Sequence, residues 1–198
     1  MWRWPDAHFV AGAPRVGDLP TDTGVELAFC GRSNAGKSSA LNRLTGVAGL
    51  ARVSKTPGRT QQLNIFALDT THRLVDLPGY GYARVPHALR ASFLALLQEY
   101  IATRHCLRGL VLVADIRQGL KNEDDALLAA RPDLPTLILL SKSDKINRSE
   151  RARQVREIAQ KVPTHAFILP FSSLNGDGVD EAREYLTALL NEQAPPES

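Results

Sequence analysis

Cysteine is scarce: the 198 residues hold two, Cys30 and Cys106, far apart and without CxxC spacing. That argues against a disulfide-stapled scaffold and against a cysteine-rich metal module. Aromatic residues are few, at 6%, so a surface built mainly on base stacking is not expected. No apolar run approaches the roughly 20 residues that a membrane helix needs. The opening stretch, MWRWPDAHFVAGAP, holds no apolar core of the signal-peptide kind. The expectation is a cytoplasmic protein with no membrane insertion. One sign of charge is missing from a long stretch. Over 27–68 there is no acid at all, while Arg32, Lys37, Arg43, Arg52, Lys55 and Arg59 lie within it.

What is present is globular in kind, with 43% hydrophobic and 23% charged residues. The length suits one domain. Net charge is only +3, but 145–161 carries six bases against two acids. Basic stretches of this sort are usually solvated faces, unless they flank a phosphate site.

Short apolar runs alternate with longer amphipathic segments. The runs are VELAFC, LNIFAL, RLVDL, GLVLVADI, TLILLS and HAFILPF. Several are continuous rather than alternating, as suits strands buried on both faces. Cys30, closing the first run, reads as a small core residue. Helices are predicted over 37–44, 87–103, 122–130, 149–162 and 179–192, with Ser149 as a plain N-cap. Strands that alternate with helices imply a parallel sheet covered on both faces. Only four residues separate LNIFAL from RLVDL, too few for a crossover helix, so this pair forms an antiparallel hairpin. The fold class is therefore α/β: three layers around about six strands, all parallel but one. Residues 1–23 read as an N-terminal extension, 24–192 as the domain and 193–198 as a Pro-rich tail.

The strongest motif is GRSNAGKS, comprising Gly31, Arg32, Ser33, Asn34, Ala35, Gly36, Lys37 and Ser38. It fits a phosphate-binding loop set between a strand and a helix. Glycines let backbone N–H groups curl around an anion, and the helix start adds partial positive charge. Lys37 reaches the β- and γ-phosphates in this reading, and Ser38 ligates Mg²⁺. The second motif is DLPG: Asp76, Leu77, Pro78 and Gly79. Asp76 holds Mg²⁺ through water, and the Gly79 N–H senses a γ-phosphate.

The third motif is SKSD: Ser141, Lys142, Ser143 and Asp144. A carboxylate at Asp144 accepts two hydrogen bonds from guanine, whereas adenine offers no such pair. The stem of Lys142 covers the base. The fourth, weaker alone, is FSS: Phe171, Ser172 and Ser173, whose backbone N–H groups can reach the guanine carbonyl. The fifth is the basic segment SKTPGRTQQ, in which either Thr56 or Thr60 can complete the Mg²⁺ shell; spacing does not choose between them. A small-molecule kinase built on the same phosphate loop would leave Asp144 and Lys142 without a task.

GRSNAGKSSALNRLTG, SKTPGRTQQLN, VDLPGYGYA, SKSD and FSS together resemble the EngB (YihA or YsxC) family, of the TrmE-Era-EngA-EngB class of P-loop GTPases. HFVAGAP and VADIRQGLK extend the likeness over nearly the whole chain. The resemblance implies slow, Mg²⁺-dependent hydrolysis of GTP to GDP. It implies a switch in assembly of the large ribosomal subunit, with a role in cell division or septation. The implied partners are that subunit and its rRNA, not DNA, and the implied state is a monomer. The nucleotide contacts implied run through the P-loop, then Gly58, Arg59, Thr60, Gln61 and Gln62, then DLPG, SKSD and FSS. Mg²⁺ is placed on Ser38 and Thr60, and catalysis on Lys37, Thr60 and Gly79. Two positions depart from GTPases at large. Ser141 stands where an Asn is usual, and Tyr80 stands where a water-orienting Gln is frequent. Asn34 falls where potassium-activated GTPases carry an Asn ligand, so K⁺ is a further candidate ion.

Overall fold

Apolar side chains that alternate between two faces build the sheet and place a layer of helices on each side. The computed structural model describes residues 2–52, 62–81 and 87–191. Its strands are β1 (His8–Ala13), β2 (Val25–Gly31), β3 (Leu63–Ala67), β4 (His72–Asp76), β5 (Leu107–Asp115), β6 (Thr136–Ser141) and β7 (Phe167–Pro170). They lie in the order β1-β3-β4-β2-β5-β6-β7. Only β3 runs against the others, pairing antiparallel with both β1 and β4. The helices are α1 (Lys37–Thr45), α2 (His87–Thr103), α3 (Asn122–Leu128), α4 (Arg148–Ala159) and α5 (Val179–Asn191).

Leu27 and Phe29 of β2, Val111 and Val113 of β5, and Leu137 and Leu139 of β6 face one core with α1 and α5. Ala28 and Cys30, Leu110 and Leu112, and Ile138 and Leu140 face the other, against Leu97 and Tyr100 of α2, Leu127 of α3 and Ile158 of α4. Apolar burial on both faces is why these strands read as continuous runs. Cys30 and Cys106 are both buried and free. Burial pushes the Cys106 thiol up to about 12, so it stays protonated at neutral pH.

Three details differ from the expectation. The sheet has seven strands rather than about six, because residues expected as an extension contribute β1 at the edge. Trp4 also packs back, its indole N–H donating to Thr187 Oγ1 of α5 at 3.3 Å. Second, α4 begins at Arg148, and its N-cap is Asn147, not Ser149. The Asn147 side chain accepts the Glu150 N–H at 3.0 Å, and Glu150 Oε2 accepts the Asn147 N–H at 3.2 Å. That reciprocal pair satisfies two end donors, where Ser149 would satisfy one. Third, α3 ends at Leu128, short of 130.

A buried carboxylate holds the far end of the sheet. Glu26 of β2 is fully enclosed. It accepts from Arg73 Nε at 2.8 Å, from Arg104 at 2.9 and 2.7 Å, and from the Tyr100 hydroxyl at 2.9 Å.

Candidate functional site

The C-terminal ends of the parallel strands lie along one edge, with neighbours of β2 leading away on both sides. A ligand crevice belongs at such a switch point. The loop after β2 is shaped for it. Gly36 takes φ 95° and Asn34 φ 63°, left-handed values that turn the chain sharply into α1. Gly31 leaves no room for a side chain, since a Cβ there would meet Val113 O at 2.5 Å.

A large open cavity is lined by Lys37, Ser38, Asp76, Gly79 and Lys142, so the first three motifs converge on one space. Lys37 Nζ is paired with Asp76 Oδ1, and both side chains are about nine-tenths enclosed, at 11% and 10% exposure. The Ser38 hydroxyl and the Asp76 carboxylate are hard oxygen donors of the kind Mg²⁺ accepts. Among the described residues no group of three or more His, Cys, Asp or Glu is arranged so that it could hold a metal ion. A divalent ion here would draw its remaining oxygens from phosphate and water, so the donor set fits Mg²⁺ held jointly with a nucleotide.

The SKSD segment forms the second half. Ser141 donates from Oγ to Ala35 O of the P-loop, so the hydroxyl braces that loop. Lys142 sits at φ 59°. Its Nζ donates to Asn34 O at 2.8 Å and pairs with Asp115 Oδ2 at 3.0 Å. Asp115, at the end of β5, also takes a bidentate grip from Arg117 at 2.9 and 2.7 Å. Burial works to raise the Asp115 pKa, but hydrogen bonds from Arg117 and Lys142 overrule it and hold it far below the usual carboxylate range. Sequence reasoning missed Asp115 as a site residue, although its strand-end position within VADIRQGLK was the available signal.

Asp144 Oδ1 accepts the Ser172 hydroxyl at 2.7 Å, and Oδ2 pairs with Lys145 at 3.3 Å. The Ser172 hydrogen bond draws its pKa below the ordinary value, so it faces a ligand as a carboxylate. The FSS trio is narrower than expected. The Phe171 N–H donates to Leu140 O and the Ser172 N–H to Asp177 O, and the Phe171 ring is buried. Those two amides are spent on the fold, which leaves Ser173 as the candidate for the guanine carbonyl. Ser143 is likewise buried, its N–H given to Phe171 O.

Tyr80 turns inward rather than toward the cavity. Its ring is buried, and its hydroxyl donates to Asp124 Oδ1 of α3. Its side chain is therefore not placed to orient water. The Ser33 amide and hydroxyl both donate to Tyr80 O, at 2.8 and 3.0 Å. Gly58, Arg59, Thr60 and Gln61, with Thr56 and Lys55, lie outside the described residues, as does the tail 193–198. Gln62 is described and hydrogen-bonds Asn64 at 3.3 Å. The Asn34 main-chain carbonyl accepts from Lys142 Nζ at 2.8 Å.

A family model described as 50S ribosome-binding GTPase matches residues 26–166. The protein named "Probable GTP-binding protein EngB" of Klebsiella pneumoniae subsp. pneumoniae is 47% identical over 202 residues, covering 100% of this chain and 96% of that one. Its namesake in Haemophilus influenzae (strain PittEE) is 48% identical over 179 residues, covering 88% and 87%. Among solved structures, that of a probable GTP-binding protein EngB aligns at TM-score 0.69 and 24% identity, over 85% of this chain and 100% of that one. Era, in complex with MgGDPNP and a segment of 16S ribosomal RNA, aligns at TM-score 0.66 and 22% identity, over 89% and 60%. These two likenesses show the fold.

Proposed function

This chain belongs to the EngB family of GTP-binding proteins and carries its GTPase domain, and from that premise we propose that it is a slow, Mg²⁺-dependent GTPase acting as a switch in assembly of the large ribosomal subunit. The observation that carries the reading is the convergence of Lys37, Asp76, Lys142 and the Asp144–Ser172 pair at one edge of the sheet. The first pair is suited to phosphate and the last to guanine.

Lys37 and Asp76 neutralise each other across the cavity. A phosphate competes for the Lys37 ammonium, and its arrival frees Asp76 to accept from water. The ammonium then stabilises charge that develops on the transferred phosphoryl group. Ser38, with Asp76 behind it and Thr60 to complete the set, would hold Mg²⁺, which would supply positive charge against the phosphates. The Gly79 N–H engages the γ-phosphate and distinguishes GTP from GDP. With the Tyr80 side chain buried, no side chain at that position orients water, and unaided hydrolysis is slow.

Ribosomal RNA is the proposed partner, as the family description and the charge distribution both suggest. Arg52 is exposed at the cavity rim and begins the basic stretch that continues to Lys55 and Arg59. Arg148, Arg153 and Arg156 of α4 are exposed as well. Surplus positive charge beside a nucleotide-dependent site couples RNA affinity to nucleotide state. The reading places the protein in the cytoplasm and leaves a role in division secondary to ribosome supply. The test is co-sedimentation with purified large subunits under GDP and under a non-hydrolysable GTP analogue. Retention that depends on the analogue, and that weakens in an Arg52→Glu, Lys55→Glu variant with intact nucleotide binding, supports the reading. Equal sedimentation under both nucleotides refutes the switch.

A further inference from the structure

Tyr80 follows Gly79 directly and is clamped from two sides. On the main chain, its carbonyl accepts the Ser33 amide at 2.8 Å and the Ser33 hydroxyl at 3.0 Å. Arg32 and Tyr80 also form an isolated parallel bridge. On the side chain, the ring packs with Cys30 and Leu77 in the core under α2 and α3, and only 3% of the residue is exposed. Its hydroxyl donates to Asp124 Oδ1. Asp124, 1% exposed, is fixed in turn, because its Oδ2 accepts the Lys121 N–H at 2.8 Å at the start of α3. One carboxylate thus joins the first turn of α3 to the residue after the phosphate sensor.

A peptide N–H that must register one phosphoryl group has to be held to a fraction of an ångström before the ligand arrives. Gly79 supplies no side chain for that purpose, and Pro78 before it has no N–H to anchor. Leu77, two residues before Gly79, gives its N–H to Phe29 O, and the two anchors that adjoin Gly79 are both on Tyr80. We propose that Asp124 is a positioning residue for the γ-phosphate response, acting through its hydrogen bond to Tyr80 to hold the Gly79 peptide in place. The proposal rests on the reading of Gly79 as the sensor. The link runs both ways: a force on Gly79 from γ-phosphate is felt at α3, and a partner that shifts α3 changes the preference for GTP.

A plain core hydrogen bond predicts something different. Breaking it would loosen the domain and weaken GDP and GTP together. The full chain is therefore titrated with GDP and with a non-hydrolysable GTP analogue, in Tyr80→Phe, Asp124→Asn, their double variant and Gly79→Ala. Tyr80→Phe keeps the ring and removes only the hydroxyl. A Cβ at Gly79 would meet Ser33 Oγ at 3.3 Å, a tight contact, so Gly79→Ala perturbs the peptide where Ser33 holds the segment. The expected result for Tyr80→Phe is GDP affinity within about twofold of wild type, and analogue affinity lower by about three- to tenfold, the scale of one buried hydrogen bond. Asp124→Asn shifts the same ratio in the same direction. The double variant loses less than the sum of the single losses, because both changes act on the same Tyr80–Asp124 contact.

Equal loss of both nucleotides, or no loss, in Tyr80→Phe overturns the proposal. If Gly79→Ala is selective against the analogue and Tyr80→Phe is not, the sensor stands and the positioning role falls. If Gly79→Ala shows no selectivity either, the sensor reading fails and the proposal falls with it. Should Asp124→Asn fail to fold, Tyr80→Phe decides alone.

Discussion

Asp144 presents two oxygens, and the fold leaves them in a definite state. Ser172 donates to one and Lys145 sits beside the other, so the group stays ionised and its direction is set. Guanine offers its ring N–H and exocyclic amine side by side, and a carboxylate matches both. An amide matches only one and turns a donor toward the other. Asp144→Asn should therefore cost guanine nucleotides about 1–3 kcal/mol, roughly five- to 150-fold in affinity. It should also move preference toward a xanthine nucleotide, whose extra carbonyl accepts from an amide. Competition titrations with GDP and xanthosine diphosphate measure both effects, and unchanged GDP affinity would remove Asp144 from the base site. Lys142 contributes at the same scale, and its position depends on Asp115 and Asn34 O.

At the scale of elements, the sequence was most legible where chemistry or burial allows few alternatives. GRSNAGKS was readable because a loop that wraps phosphate needs glycines and a lysine at fixed spacing, and Gly36 at φ 95° shows why. β2, β5 and β6 were readable because burial on both faces writes a continuous apolar run. β1 was not, because an edge strand with Phe9 55% and Val10 50% exposed carries no clean pattern. Its pairing with β3 joins residues fifty or more apart in sequence. The spent amides of Phe171 and Ser172 were equally hidden, since backbone partners leave no mark on residue types. The α4 cap shows a nearer miss. The helix pattern put the cap at Ser149, two residues beyond Asn147, where the capping box with Glu150 forms. Asn147→Ala should destabilise the domain by about 1 kcal/mol, seen as a lower thermal midpoint, while Ser149→Ala should leave it nearly unchanged. The reverse order would return the cap to Ser149.

For the whole molecule, acid stability follows from carboxylates held in the half of the fold away from the nucleotide edge. Burial pushes the Glu26 pKa up, but the hydrogen bond and charge of Arg104, with Arg73 beside it, bring the net value below the ordinary one. Asp22 accepts the His105 and Cys106 amides at 3.0 and 2.8 Å. Against the cost of burial, these hold it at about 2. Asp69 caps the β3–β4 turn, accepting the Thr71 and His72 amides at 2.8 and 2.7 Å, and it too lies at about 2. Each folded-state value is depressed below the unfolded one. The folded chain therefore binds fewer protons through the acid range, and stability rises with pH there. The contribution is complete above the unfolded values, near pH 4, and is lost as pH falls through the folded values toward about 2. Denaturant midpoints should accordingly change little in acid until pH approaches 4, then fall steeply. Asp22→Asn removes one of these titrating carboxylates while keeping a side-chain oxygen for one of the two amides. Its stability should be lower than wild type at pH 6, and the gap should narrow strongly by pH 2, where Asp22 itself is about half protonated. Glu26→Gln is the harsher variant, because it strands Arg73 and Arg104, and breaking a buried pair of this kind costs about 3–5 kcal/mol. If the gap between Asp22→Asn and wild type stays constant from pH 6 to pH 2, acid lability arises elsewhere in the molecule.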